Sequence, residues 1–193
     1  LTMAPAATRV AALAGIAQDV SYSAGLLADL GVLLFARTLP DKYLPLFEMD
    51  YESLASAEDR LFGFNHAELG AHLLRTWNLP HELCDAVANQ HCPPLTLEAV
   101  EFVVAIAHTV ATSMWTTDPA RVFSAQQILQ EAFEMDVNGF LTLAMSLQDA
   151  VHENAKVFLL DIQDTIDRDA LLRMIRQSSA NLAQGAAIAS SRQ

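Results

Sequence analysis

Asp29 stands in a strongly apolar run from Tyr22 to Phe35 that it and Gly31 interrupt. A carboxylate buried in such a helix must find donors, a backbone amide or an imidazole, or it shifts its pKa and neutralises. A second cluster, His81, Cys84, His91 and Cys92, holds zinc-type donors. His81 and Cys84 share a helix face, and His91 with Cys92 could close a site. The spacings fit no common zinc motif, however, and Pro93-Pro94 follows, so packed thiols and solvated histidines are expected instead. Ser21, Ser23, Ser53, Ser56 and Ser113 sit in no Gly-x-Ser-x-Gly turn, which leaves nucleophilic catalysis without support. No Gly-x-x-x-x-Gly-Lys loop cradles a phosphate, which excludes P-loop nucleotide hydrolysis.

The elements that must position these groups are helices. Ala and Leu far outnumber Val and Ile, and no run alternates with period two for long enough to propose a sheet. Thr8 to Gln18 reads as an Ala-rich helix, and Tyr22 to Phe35 as one buried helix. A helix from about Tyr51 to Phe62 ends at Gly63. Asn65 with Glu68 forms a capping-box pattern, and Leu69, Leu73, Leu74 and Trp77 follow helical spacing. Pro80 starts a helix that runs to about His91, and Thr96 caps a core helix that ends at Trp115. Asp118-Pro119 opens a short turn or helix, while Ser124 with Gln127 is a second capping-box pattern, opening a helix to about Met135. A further helix covers Gly139 to Val151 and runs on toward Leu160. Leu171, Ile175, Ser178, Leu182, Gly185 and Ala189 then form a weak heptad. That last helix either packs on its own domain or dimerises. The phenylalanines fall at helical spacing and belong to core or interface.

Composition narrows the function classes. Hydrophobic residues make up 52% and charged residues 18%, which excludes disorder. With Lys+Arg 11 against Asp+Glu 23 the formal net charge is -12, and no basic cluster offsets it, so nucleic acid and anionic membrane surfaces are not expected partners. Ala99 to Trp115, the most apolar long segment, contains Glu101 and His108 and reads as a core helix rather than a membrane span. Two cysteines and no signal-peptide pattern point to reduced thiols in the cytoplasm. The first residue is Leu1, so the sequence reads as a piece of a longer polypeptide.

Gly25-Leu26-Leu27-Ala28-Asp29-Leu30-Gly31 resembles the G-L-L-H-D-I-G signature helix of HD-type domains. Phe62-Gly63-Phe64-Asn65-His66-Ala67-Glu68-Leu69-Gly70, followed by Leu73-Leu74 and Trp77-Asn78-Leu79-Pro80, is similar to the G-F-D-H-A-E-V-G…L-L…W-x-L-P block of HDOD domains. Ala86 to His91 resembles the A-(V/I)-x-x-H-H helix end found in both HDOD and HD-GYP proteins. The likeness covers about Ala11 to Ala111 and corresponds to the C-terminal part of an HDOD domain. It implies an all-α, HD-like helical bundle over residues 1–115, a helical extension over 116–163, and a C-terminal amphipathic helix over 164–193 that serves as a signalling or dimerisation linker.

HD phosphohydrolases hold metal ions with an upstream His, the adjacent His-Asp pair and a downstream Asp, and the metal activates water and neutralises phosphate. Here the signature His is Ala28, whose methyl cannot ligate, and no His precedes His66. His108 stands where the downstream Asp is expected, so Asp29 alone remains of the basic four. The resemblance matches His66 and His91 to added HD-GYP histidines. No metal, cofactor or catalytic residue is therefore expected. A vestigial metal site, if the chain has one, comprises Asp29, His66, His91 and His108. The implied role is a non-catalytic bacterial signal-transduction module, an output or adaptor part of a response-regulator-like protein, that binds an unidentified signalling partner or small molecule. The alternative is a residual metal-dependent phosphohydrolase or phosphodiesterase using those four residues.

Overall fold

A computed structural model describes residues 2–48, 51–157, 159 and 167–190. Among them every regular element is helical. The order is α1 (Met3–Ala14), α2 (Gln18–Leu27), α3 (Leu30–Thr38), α4 (Pro40–Tyr43), α5 (Tyr51–Phe62), α6 (His66–Thr76), α7 (His81–Ala88), α8 (Ala99–Ser113), α9 (Pro119–Phe133), α10 (Val137–Val157) and α11 (Arg168–Ser190), with short 3-10 turns at Leu44–Glu48 and Pro94–Thr96.

The chain divides into two compact units. One runs from Met3 to His108, and the other comprises residues 1–2 and Thr109–Gln193. In the first, α2 packs on α1 and α7, while α3 and α7 pack on α6. Its core is built from Val10, Ala24, Phe35, Tyr43, Leu54, Leu74, Val87 and Ile106. In the second, α11 packs on α9, and Leu129, Phe140, Leu147 and Leu171 are buried. Leu171, Ile175 and Ser178 of the weak heptad are all buried there. The side chains of Leu182, Gly185 and Ala189 lie outside the described residues, as does the expected boundary at residues 163–164.

The expected single helix from Tyr22 to Phe35 is two helices. The break falls at Ala28–Asp29, inside the signature, where Asp29 has φ -94° and ψ 13°. An uninterrupted helix would send the Val32 N–H to the Ala28 carbonyl. Val32 N donates instead to Asp29 O at 3.1 Å. The released Ala28 carbonyl accepts from the Gln90 side-chain amide at 2.8 Å. By length and composition alone the stretch Gln18–Thr38 is long and apolar enough to cross a membrane. Its two glycines make it a packing element in this unit: a Cβ on Gly25 would lie 2.9 Å from Met3 O, and one on Gly31 would collide with the backbone of His66.

Four further boundaries differ from the sequence expectation. Helix α8 starts at Ala99, and the Thr96 hydroxyl donates to Pro93 O at 2.7 Å rather than capping it. The same helix ends at Ser113, short of Trp115. Helix α9 starts at Pro119 with Asp118 as its N-cap, the carboxylate accepting from Ala120 N at 2.9 Å, so Ser124 is interior. Proline at the first helical position outweighs the Ser124–Gln127 pattern. Helix α7 ends at Ala88, which leaves His91 in the turn that follows.

Candidate functional site

Four segments of the first unit bring the predicted residues to one place. Asn65 opens α6 as expected: its side chain accepts from Ala67 N at 3.0 Å and Glu68 N at 3.1 Å, and its own N–H donates to the Glu68 carboxylate at 3.2 Å. This capping box fixes the first helical residue, His66, which is fully buried. The turn after α7 carries Gln90 and His91, and the Asn89 amide ties it to Glu101 of α8 at 2.7 Å. Two helical turns beyond Glu101, on the same face, α8 presents the buried His108.

The rings of His66, His91 and His108 form a row. Successive centroids are 4.8 Å and 4.5 Å apart, and each pair meets edge to face. His66 Nε2 and His91 Nε2 are 2.9 Å apart. His66 Nδ1 lies 2.7 Å from a carboxylate oxygen of Glu58, which also accepts from the His66 backbone N–H at 2.7 Å. The other Glu58 oxygen accepts from the Tyr43 hydroxyl at 2.5 Å. Glu58, Tyr43 and His66 are all fully buried. Tyr43, Glu58, His66 and His91 thus form one hydrogen-bonded line across α4, α5, α6 and the turn after α7. Asp29, at the α2–α3 break, is partly exposed and acts electrostatically on both Tyr43 and His91.

Electrostatics fix the protons along this line. Burial alone would raise the Glu58 pKa. The hydrogen bonds from His66 and Tyr43 outweigh it and hold the carboxyl below the usual range, so it is ionised. Burial, followed by the Glu58 hydrogen bond, pushes the Tyr43 hydroxyl up, so it stays a donor. Burial, reinforced by the neighbouring His108 and His66, pushes His91 down to about 3. Burial, then His66, pushes His108 down to about 4. Both rings are neutral near pH 7. With Glu58 ionised, His66 donates from Nδ1. In the neutral form of that ring Nε2 is bare, and the network assigns the intervening proton to His91 Nε2.

Glu58, Tyr43 and Gln90 were not among the expected site residues. Glu58 lies one helical turn from the buried Leu54, and a carboxylate on an inward helix face was the available signal. Gln90 is 1% exposed; its amide nitrogen holds the Ala28 carbonyl, and its Oε1 has no hydrogen-bond partner. His91, expected as a solvated histidine, is instead partly buried. The His81, Cys84, His91, Cys92 set does not assemble. Its cysteines are free thiols, with Cys84 Sγ 3.7 Å from Leu79 O and Cys92 Sγ 3.8 Å from Asn89 Oδ1, while the His91 ring faces His66.

The metal chemistry of HD phosphohydrolases needs bare nitrogen and carboxylate donors converging on one point. The donors present do not fit that need. Ala28 offers a buried methyl, and both ring nitrogens of His66 are engaged by Glu58 and His91. Among the described residues no three His, Cys, Asp or Glu side chains are disposed to hold one ion.

No curated protein matches the chain. Among solved structures, the crystal structure of a "Putative phosphohydrolase" from Shewanella amazonensis SB2B superposes with a TM-score of 0.56 at 23% identity, over 77% of this chain. The chain spans 56% of the length of that protein. At this identity the likeness establishes the fold, an all-α HD-like bundle. Residues 1–93 match the family model of the HDOD domain. This segment, which carries the Gly25–Gly31 signature, Glu58, His66 and His91, belongs to the HDOD family.

Proposed function

We propose that the chain is a non-catalytic signal-transduction module of a bacterial, cytoplasmic protein, an output or adaptor part that acts by binding a partner or small molecule. One observation carries this reading. Ala28 stands fully buried at the signature position, and its carbonyl is taken by Gln90, so the histidine's place in the adjacent His-Asp ligand pair is filled by packing and a structural hydrogen bond, and Asp29 is left as a single carboxylate. Without that pair an HD-type bundle keeps its shape and loses the means to neutralise a phosphate or lower the pKa of water. Free Cys84 and Cys92 suit a reducing compartment. In this reading residues 1–115 are the binding core, 116–163 its helical extension, and the C-terminal helix passes the signal onward or pairs with a second copy.

The competing reading is a residual metal-dependent phosphodiesterase on Asp29, His66, His91 and His108. Two measurements on the same sample decide between them: metal content of protein purified without added metal, and hydrolysis of bis(p-nitrophenyl) phosphate with added manganese. The expected result is sub-stoichiometric metal and no turnover above the metal-only blank. Turnover that requires metal and disappears in His66→Ala overturns the proposal.

A further inference from the structure

The HD-like fold implies a divalent cation among the residues that surround His66. We infer that a single proton shared between His66 and His91 occupies that role instead, as a built cross-link between α6 and the turn after α7. The argument is geometric. Two bare imidazole nitrogens 2.9 Å apart would direct lone pair against lone pair, so one of them carries the proton. The distance is that of a made N–H···N bond, and with 87° between their planes the rings do not stack, so the close contact is nitrogen to nitrogen.

The bond is anchored at its far end. Glu58 receives the backbone N–H and Nδ1–H of His66 together with the Tyr43 hydroxyl, so the His66 ring cannot turn without breaking contacts to a fully buried carboxylate. Such an arrangement resembles the outer-shell carboxylate that orients a metal-bound histidine. Here the oriented nitrogen meets another imidazole. A cation entering the site has to displace the proton from between the rings and separate them. His91 is in turn held by its own loop, through the Asn89–Glu101 bond, and its other face lies against His108. The bridge therefore joins α5, α6, the post-α7 turn and α8, whereas an ion on Asp29, His66, His91 and His108 would join the α2–α3 break to the last three of these.

The test is nuclear magnetic resonance on the full chain, labelled with nitrogen-15 in histidine. Expected are a two-bond nitrogen–nitrogen coupling between His66 Nε2 and His91 Nε2 in metal-free protein, and its persistence after one equivalent of zinc. Under equimolar manganese the exposed His81 ring should broaden before the His66 ring. Absence of the coupling in folded, metal-free wild type overturns the inference, as does its loss on binding one equivalent of zinc. The inference stands apart from the non-catalytic reading. A missing coupling with no phosphodiesterase turnover defeats the bridge alone, and turnover with an intact coupling defeats the functional reading alone.

Discussion

Gly31 lies so close to the backbone of His66 that a Cβ at position 31 would collide with the His66 carbonyl oxygen and stand 2.7 Å from its carbon. Across the same crossing, a Cβ on Gly70 would sit 3.3 Å from Gly31 N. Helices α3 and α6 thus meet glycine to glycine at the end of the signature. The motif Gly25-Leu26-Leu27-Ala28-Asp29-Leu30-Gly31 separates into two kinds of position. Position 28, whose expected imidazole serves chemistry, has changed, while Gly25 and Gly31, which permit close approach, are kept.

Gly31→Ala should therefore be severely destabilising. The obstruction is main chain rather than a flexible side-chain tip, so α3 and α6 must move apart, with a cost of roughly 3 kcal/mol or more. Gly70→Ala meets only a tight contact and should cost about 1 kcal/mol. Urea denaturation of the two variants checks the order. Equal stabilities would mean that the crossing is looser than the structure has it.

What could be read from the sequence was what depends on near neighbours. The Asn65–Glu68 box spans four residues, and its hydrogen bonds form as expected. The break at Ala28–Asp29 was hidden because its partner, Gln90, is 62 residues away. Propensity favours a continuous helix there, and a distant amide overrides it. Helix α9 offered two plausible starts, Asp118 and Ser124, and the fixed φ of Pro119 decided between them. His66, His91 and His108 were named from the family pattern and do meet. Glu58 and Tyr43, which set the protons of that row, lie outside the motif blocks and were missed.

Burial of the histidine row gives the chain an acid-sensitive stability. The folded pKa values of His91 and His108, about 3 and about 4, both lie below the ordinary 6.5. The unfolded chain therefore binds more protons as the pH falls, and the native state loses ground. Their contribution is fully present above about pH 6.5 and declines toward pH 4, by about 2 kcal/mol for each histidine near pH 5. Glu58, whose folded pKa is lowered, adds a loss of the same sign below its ordinary 4.5. Urea midpoints measured between about pH 7 and pH 4.5 should fall steadily. A flat profile across that window would mean that both rings titrate normally in the folded protein.

Glu58→Gln probes the anchor of the row without changing its size. The carboxylate accepts three hydrogen bonds, from Tyr43, the His66 ring and the His66 backbone. An amide has one acceptor oxygen and turns an NH2 group toward donors, so at least one buried donor is left unmatched. The expected cost is about 2–4 kcal/mol, with a change in the nitrogen-15 shifts of the His66 ring. Tyr43→Phe removes a single donor and should cost less, about 1–2 kcal/mol. The phenylalanine ring keeps the stacking on Phe35 at 5.0 Å, so a Tyr43→Phe loss equal to that of Glu58→Gln would place the energy in the single Tyr43 hydroxyl–Glu58 bond rather than in the three bonds of the carboxylate together.

Leu171 tests what the C-terminal helix does with its apolar stripe. Its side chain is fully buried, Ile175 is 5% exposed one turn later, and Ser178 faces α9 across a groove lined by Phe123, Gln127 and Ile128. Burial within one chain means that these first positions of the weak heptad support their own unit. Leu171→Ala should then lower stability by about 2–5 kcal/mol, the range for a core leucine, and the loss should not depend on protein concentration. If the same residues held two copies together, the folded state would be linked to association, and the wild-type midpoint would rise with concentration by mass action. Denaturation at two concentrations a hundredfold apart, with light scattering on the same samples, separates the two cases. A concentration-dependent midpoint that becomes constant in Leu171→Ala would show that the buried stripe is a dimer seam.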